Sequence, residues 1–189
     1  AELMAALGEL PEDRQLSQLA EGKSSCAIAV EGEHLKTLKN LLADLIEIIE
    51  DETDLGSDSI TVVIANRLLS PIKQGELEQI LGKEVCDHYR VVLHDPLEEG
   101  QTKSLGDSPA GVPLQINRSY LDADLKMILG ATRPDILFGF TGGGSVLVPG
   151  LAGEDTLNAF YTFENVNHEK TVYGSFKESY GRGGPHPDQ

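Results

Sequence analysis

The run Ile60-Thr61-Val62-Val63-Ile64-Ala65 is β-branched and apolar on both faces, the pattern of a strand buried on both sides of a parallel sheet. Such a sheet needs helices to cover it. The segment from His34 to Glu50 supplies the clearest one. Leu35, Leu38, Leu41, Leu42, Leu45, Ile46 and Ile49 recur there at helical spacing and form one apolar face.

The rest of the chain alternates in the same way. Residues 3–20 read as helical with a turn at Leu10-Pro11, and Ser25 to Val30 as a short apolar strand. Gln74 to His88 reads as a second helix, and Val91 to Leu93 as a strand closed by His94-Asp95-Pro96. Residues 97–111 are polar and contain glycine, which predicts a loop. Val112 to Ile116 and Leu125 to Leu129 read as further strands, and Asp155 to Phe163 as a helix. The expected fold class is therefore α/β: a largely parallel sheet of βαβ units with right-handed crossovers, flanked by helices. The α/β domain is expected over 1–173, with a Gly- and Pro-rich tail or linker over 174–189.

In such sheets ligands sit beyond the carboxyl ends of the strands. Asn66-Arg67, His94-Asp95 and Arg133-Pro134-Asp135 all follow predicted strands. The triple glycine of Thr141-Gly142-Gly143-Gly144-Ser145 follows an apolar run, and its N–H groups and two hydroxyls suit a phosphate or carboxylate. Neither the P-loop spacing nor the dinucleotide fingerprint is present. A tight surface turn is the plainer alternative for the loop. For His94, a structural hydrogen bond at the strand end outweighs a role in ligand binding. Arg133 and Asp135 can simply pair with each other.

The formal net charge of −16 disfavours nucleic acid and anionic membranes as partners. It also repels a carboxylate, so a site for one must offset the field locally, and Arg118 and Arg133 are best placed to do so. Cys26 and Cys86 suit small buried hydrophobes better than a disulfide framework or zinc site. His168 and His186 give no metal spacing, and no metal site is expected. No apolar run approaches membrane-spanning length and the N-terminus lacks a signal-peptide pattern, so a cytoplasmic setting is the default expectation.

His94-Asp95, the run Gly111-Val112-Pro113-Leu114-Gln115-Ile116-Asn117-Arg118, Ala123-Asp124-Leu125, Pro134-Asp135, Gly139 to Ser145 and Pro149-Gly150-Leu151-Ala152-Gly153-Glu154-Asp155-Thr156 follow one another in a set order and spacing. In that order they resemble the N-terminal domain of the nickel-pincer lactate racemase family. The run from Gln74 to Val85 also resembles that family's helix before the His-Asp pair. The resemblance implies the same α/β fold, a hydroxy-acid substrate and a nickel-pincer nucleotide cofactor. It also implies a second, C-terminal domain that this chain does not reach. The chain begins at Ala1, without an initiator methionine, which suits a fragment.

The resemblance breaks at the chemical groups. Ser145 stands where the family carries the lysine that tethers the cofactor, and Asp135 stands where it has one catalytic histidine. Leu69 falls at the position of the other histidine. The family's substrate loop falls near Glu31-Gly32-Glu33-His34-Leu35, which does not match it. A further ligand histidine has no counterpart between Thr156 and Tyr161, and Asn167-His168 comes too late to align. Leucine cannot take a proton, and an ordinary carboxylate with a pKa near about 4 is a poor base at neutral pH, which leaves Asp135 a weak catalytic candidate.

Three readings follow. The first is a divergent domain that binds a small hydroxy acid, an anion or a nucleotide-like ligand through Thr141 to Ser145, Arg133, Asn117, Arg118 and His94, with altered or lost chemistry and no cofactor. The second is a working racemase or epimerase that uses a modified nickel-pincer cofactor or a separate C-terminal domain. The third is a non-catalytic, partner-binding subunit.

Overall fold

The computed structural model describes residues 2–66, 72–109, 111–135 and 139–161. Two short helices, α1 (Glu2–Gly8) and α2 (Leu16–Ala20), precede β1 (Cys26–Glu31), all six residues of which are buried. A 3-10 turn at Gly32–His34 leads into α3 (Leu35–Glu52). This helix buries Leu35, Leu38, Leu42, Leu45, Ile46, Ile48 and Ile49. Ile48 thus joins the expected face, whereas Leu41 lies at its edge and is 36% exposed.

The predicted strand at 60–65 is β2 (Ile60–Ala65). The helix expected over 74–88 is broken in two, α4 (Leu77–Leu81) and α5 (Lys83–His88). Gly82 separates them with a φ of 92°, in the left-handed region that glycine enters without a Cβ clash. Then follow β3 (Arg90–Leu93), β4 (Thr102–Asp107), β5 (Pro113–Asn117), the one-turn helix α6 (Arg118–Leu121) and β6 (Leu125–Leu129). The short strands β7 (Pro134–Asp135) and β8 (Gly139–Phe140) pair antiparallel, and α7 (Gly144–Leu147) and α8 (Glu154–Phe160) follow.

The main sheet is wholly parallel, in the order β3-β2-β1-β6. Its register places Ile28 beside Val62 and Met127, and Val63 beside Val92. Because side chains alternate along a strand, the two faces feed two cores. Cys26, Ile28, Val30, Val62 and Ile64 pack with α3 and α4 on one side. Ala27, Ala29, Val63 and Ala65 pack with Tyr120, Val146, Leu151, Ala152 and Leu157 on the other. The alanines on that second face keep it thin, so the segment around α7 lies close against β1.

The polar stretch expected to be a loop contains β4, which pairs antiparallel with β5 through Thr102–Asn117, Lys103–Ile116 and Ser104–Gln115. Five of the six β4 residues are exposed. With neither face buried, the strand carries no apolar alternation, and backbone pairing alone defines it. Among the described residues no helix is long and apolar enough to cross a membrane. The Gly- and Pro-rich tail, Asn167-His168, His186 and Leu69 lie outside the described residues.

Candidate functional site

The strand order reverses at β1: the chain moves outward from it to β2 and β3, then returns to lay β6 on its other side. A crevice forms beyond the carboxyl ends of strands at such a switch point. Glu31, the last residue of β1, stands at that point. Glu31 is 3% exposed, and its Oε2 accepts the Ala131 N–H at 2.9 Å just after β6. Its Oε1 is buried without a hydrogen-bond partner.

The glycine loop lies beside it, since a Cβ built on Gly130 would meet both Gly142 and the Glu31 carboxylate. The Thr141 N–H donates to the Arg133 carbonyl at 2.8 Å, and its hydroxyl to the Ala131 carbonyl at 2.9 Å. Gly142 has a φ of 85°, and a Cβ there would meet the Ala131 carbonyl carbon and oxygen at 3.1 Å. Glycine is thus required both by the dihedral and by the close approach. Gly143 points the other way: a Cβ built on it meets nothing within 4 Å. The Ser145 hydroxyl turns back to the Gly142 carbonyl at 3.2 Å. Both loop hydroxyls therefore spend their single proton on carbonyls, and the Thr141 and Ser145 amides are donated too, so any anion would have to be met by the amides of Gly142, Gly143 and Gly144.

Beyond the loop, three consecutive carbonyls are each bonded to the end of a different strand. Gly150 accepts from the Asn66 N–H at 3.1 Å, Leu151 from the Asn117 N–H at 2.9 Å, and Ala152 from His94 Nε2 at 3.0 Å. A carbonyl only accepts, so His94 carries its proton on Nε2, and its Nδ1 accepts from Asn117 Nδ2 at 3.1 Å. Burial pushes the His94 pKa down, against the Ala152 carbonyl, which favours the charged ring. The Asn117 side-chain oxygen in turn accepts the Tyr120 N–H and caps α6.

The sequence-predicted residues thus divide. Thr141, Gly142, Gly143, Gly144 and Ser145 form one loop near the end of β1, and the Arg133 carbonyl accepts from Thr141 while Arg133 itself is exposed. Asp135 is half-buried in β7, opposite Gly139. His94 and Asn117 are both 0% exposed, and their polar atoms bond to Ala152 and to each other, which is the structural role weighed for the strand end. Arg118 is exposed, and its guanidinium donates to the Gly100 carbonyl at 3.2 Å and the Thr102 carbonyl at 3.5 Å, which steadies the β4–β5 hairpin. Sequence reasoning missed Glu31, because a glutamate closing an apolar strand reads as a solvated cap. The signal that marks it is the adjacent Glu33-His34 pair, which folds back to the same strand end.

A profile of the lactate racemase N-terminal domain family matches residues 1–174. The chain is similar to the lactate racemase of Thermoanaerobacterium thermosaccharolyticum, at 24% identity over 82% of this chain and 36% of that one. The lactate racemase of Lactiplantibacillus plantarum is also 24% identical, over 85% of this chain and 38% of its own length. Among solved structures, the T. thermosaccharolyticum lactate racemase apoprotein superimposes with a TM-score of 0.65 at 24% identity, covering 80% of this chain and 36% of that one. A Thermotoga maritima protein gives 0.56 at 21% identity, covering 77% and 38%. The chain therefore spans little more than a third of the length of the curated relatives it matches. Its sequence and its parallel α/β fold agree on one family: the chain belongs to the lactate racemase N-terminal domain family.

Proposed function

We propose that this domain binds a small hydroxy acid or a similar anion at the crevice beyond β1 and β6, with the family's chemistry altered or lost. The observation that carries the second part is Ser145. At the position where the resemblance puts a tethering lysine, it offers a hydroxyl already donated to Gly142, and no amine. These residues do not fit covalent attachment of a nickel-pincer nucleotide. The open space at Gly143 supports the binding part, because there an anion meets loop amides without a side chain in the way.

Two measurements test this reading. The first is nickel content with intact mass, on protein co-produced with a pincer-cofactor biosynthesis system. An unmodified, metal-free chain is expected, and stoichiometric nickel with added cofactor mass would overturn the reading of Ser145. The second is titration with lactate and with inorganic phosphate of the parent chain and Gly143→Val. Binding by the parent and its loss in a folded variant are expected. Equal affinities would remove the loop as the site, and no binding by the parent would leave the domain as a scaffold or partner-binding subunit.

A further inference from the structure

Glu31 Oε1 has no hydrogen-bond partner although the residue is 3% exposed. A buried carboxylate with half its acceptors unmet is costly, and such groups commonly mark a missing ion or ligand. What surrounds it narrows the choice. The 3-10 turn at Gly32–His34 folds back directly after the strand, bringing the exposed Glu33 and half-buried His34 to the same place. One carboxylate oxygen from each glutamate and one His34 ring nitrogen lie within 4.8 Å of one another. The turn is held there by close packing, since a Cβ on Gly32 would collide with the Ala65 carbonyl oxygen at the end of β2.

We propose that Glu31, Glu33 and His34 form a binding site for a first-row divalent cation of the Mn2+ to Zn2+ group. Two carboxylates and one imidazole are a mixed oxygen–nitrogen set, softer than the all-oxygen cages that Ca2+ and Mg2+ prefer and without the thiolates of a structural zinc site. Ligands around a zinc-sized ion stand roughly 3.5 Å apart, so the three atoms need close by no more than about 1.3 Å. Glu33 is exposed and accomplishes this by side-chain rotation, while Glu31, fixed by Ala131, supplies the rigid anchor. Three protein ligands leave coordination positions open for water or another ligand, and the net charge of −16 favours cations. The site stands independently of the hydroxy-acid reading, because Glu31 needs a partner whether or not an anion binds beside it.

The test is calorimetric titration of chelator-stripped protein with ZnCl2 and, separately, MnCl2, repeated on Glu31→Gln, Glu33→Gln and His34→Ala. Glutamine keeps the shape of glutamate, and His34→Ala stands in if Glu31→Gln fails to fold. A single site is expected for at least one of the metals, weakened at least about tenfold in Glu31→Gln and in His34→Ala, the scale on which lost metal-site partners act. A rise in Tm with that metal should appear in the parent chain and vanish in these variants. No binding of either metal, or affinity unchanged in both folded variants, would overturn the proposal.

Discussion

His94 Nε2 donates to the carbonyl of Ala152 at 3.0 Å, joining the end of β3 to the segment that follows the glycine loop. The ring is 0% exposed and must be neutral for Nδ1 to accept from Asn117. Its folded pKa therefore lies below the ordinary 6.5, burial being the chief cause. Between the two values the unfolded chain binds a proton that the folded one refuses. The stability is present above 6.5 and falls as the pH drops below it. Urea midpoints at pH 7.5 and 5.5 should show this loss. His94→Gln should flatten it while costing about 1–3 kcal/mol at pH 7.5, the scale for a buried bonding group left poorly paired.

At Gly150 an added Cβ would collide with the Val146 carbonyl oxygen and come within 2.9 Å of the Ala65 Cβ. Backbone and a strand-end alanine have nowhere to go. Gly150→Ala should lower stability by about 1–3 kcal/mol, as overpacking does. Gly144→Ala, with nothing within 4 Å of its Cβ, should stay within about 0.5 kcal/mol of the parent. Denaturant unfolding of the pair separates steric fit from glycine content alone.

The two thiols should react at very different rates. Cys26 is 1% exposed, and burial pushes its pKa up to about 11. Cys86 is half-buried, raised first by burial and then by Glu78 and Asp87. A thiol reagent at pH 8 should label Cys86 slowly and Cys26 only after denaturant is added. Equal labelling of both in the native protein would contradict the packing of β1.

At the opposite end of the sheet from the crevice, Asp124 accepts from the Ser24 N–H at 2.9 Å and the Ser24 hydroxyl at 2.6 Å. The Ser24 hydroxyl is the main cause holding its carboxyl below the ordinary 3.8. That contribution is present above the unfolded value and disappears as pH falls through the folded one. Asp124→Ala should therefore unfold at a higher pH than the parent in an acid titration followed by circular dichroism. It should do so without changing metal or anion binding, which belong to the other end of the strands.

The sheet was legible because its central strands are buried on both sides and leave apolar runs at 26–30 and, broken only by Thr61, at 60–65. The hairpin strand β4 was not legible, since exposure of both faces removes the alternation that marks a strand. The glycine loop announced itself through composition, and Gly142 bears this out with a positive φ and contact with Ala131. His94 shows the reverse limit. Its place at a strand end was readable, but whether it faced solvent depended on Ala152 and Asn117, both distant in sequence. Glu31 was hidden because nothing local says that a strand-ending glutamate is buried.

The three adjacent carbonyls of Gly150, Leu151 and Ala152 answer three separate strand ends. A polypeptide trimmed before Gly150 would strand the donors of Asn66, Asn117 and His94 together and uncover Val63 and Ala65 beneath them. The segment after the glycine loop is thus a keystone, and the smallest piece of this domain able to fold alone must extend beyond Gly153.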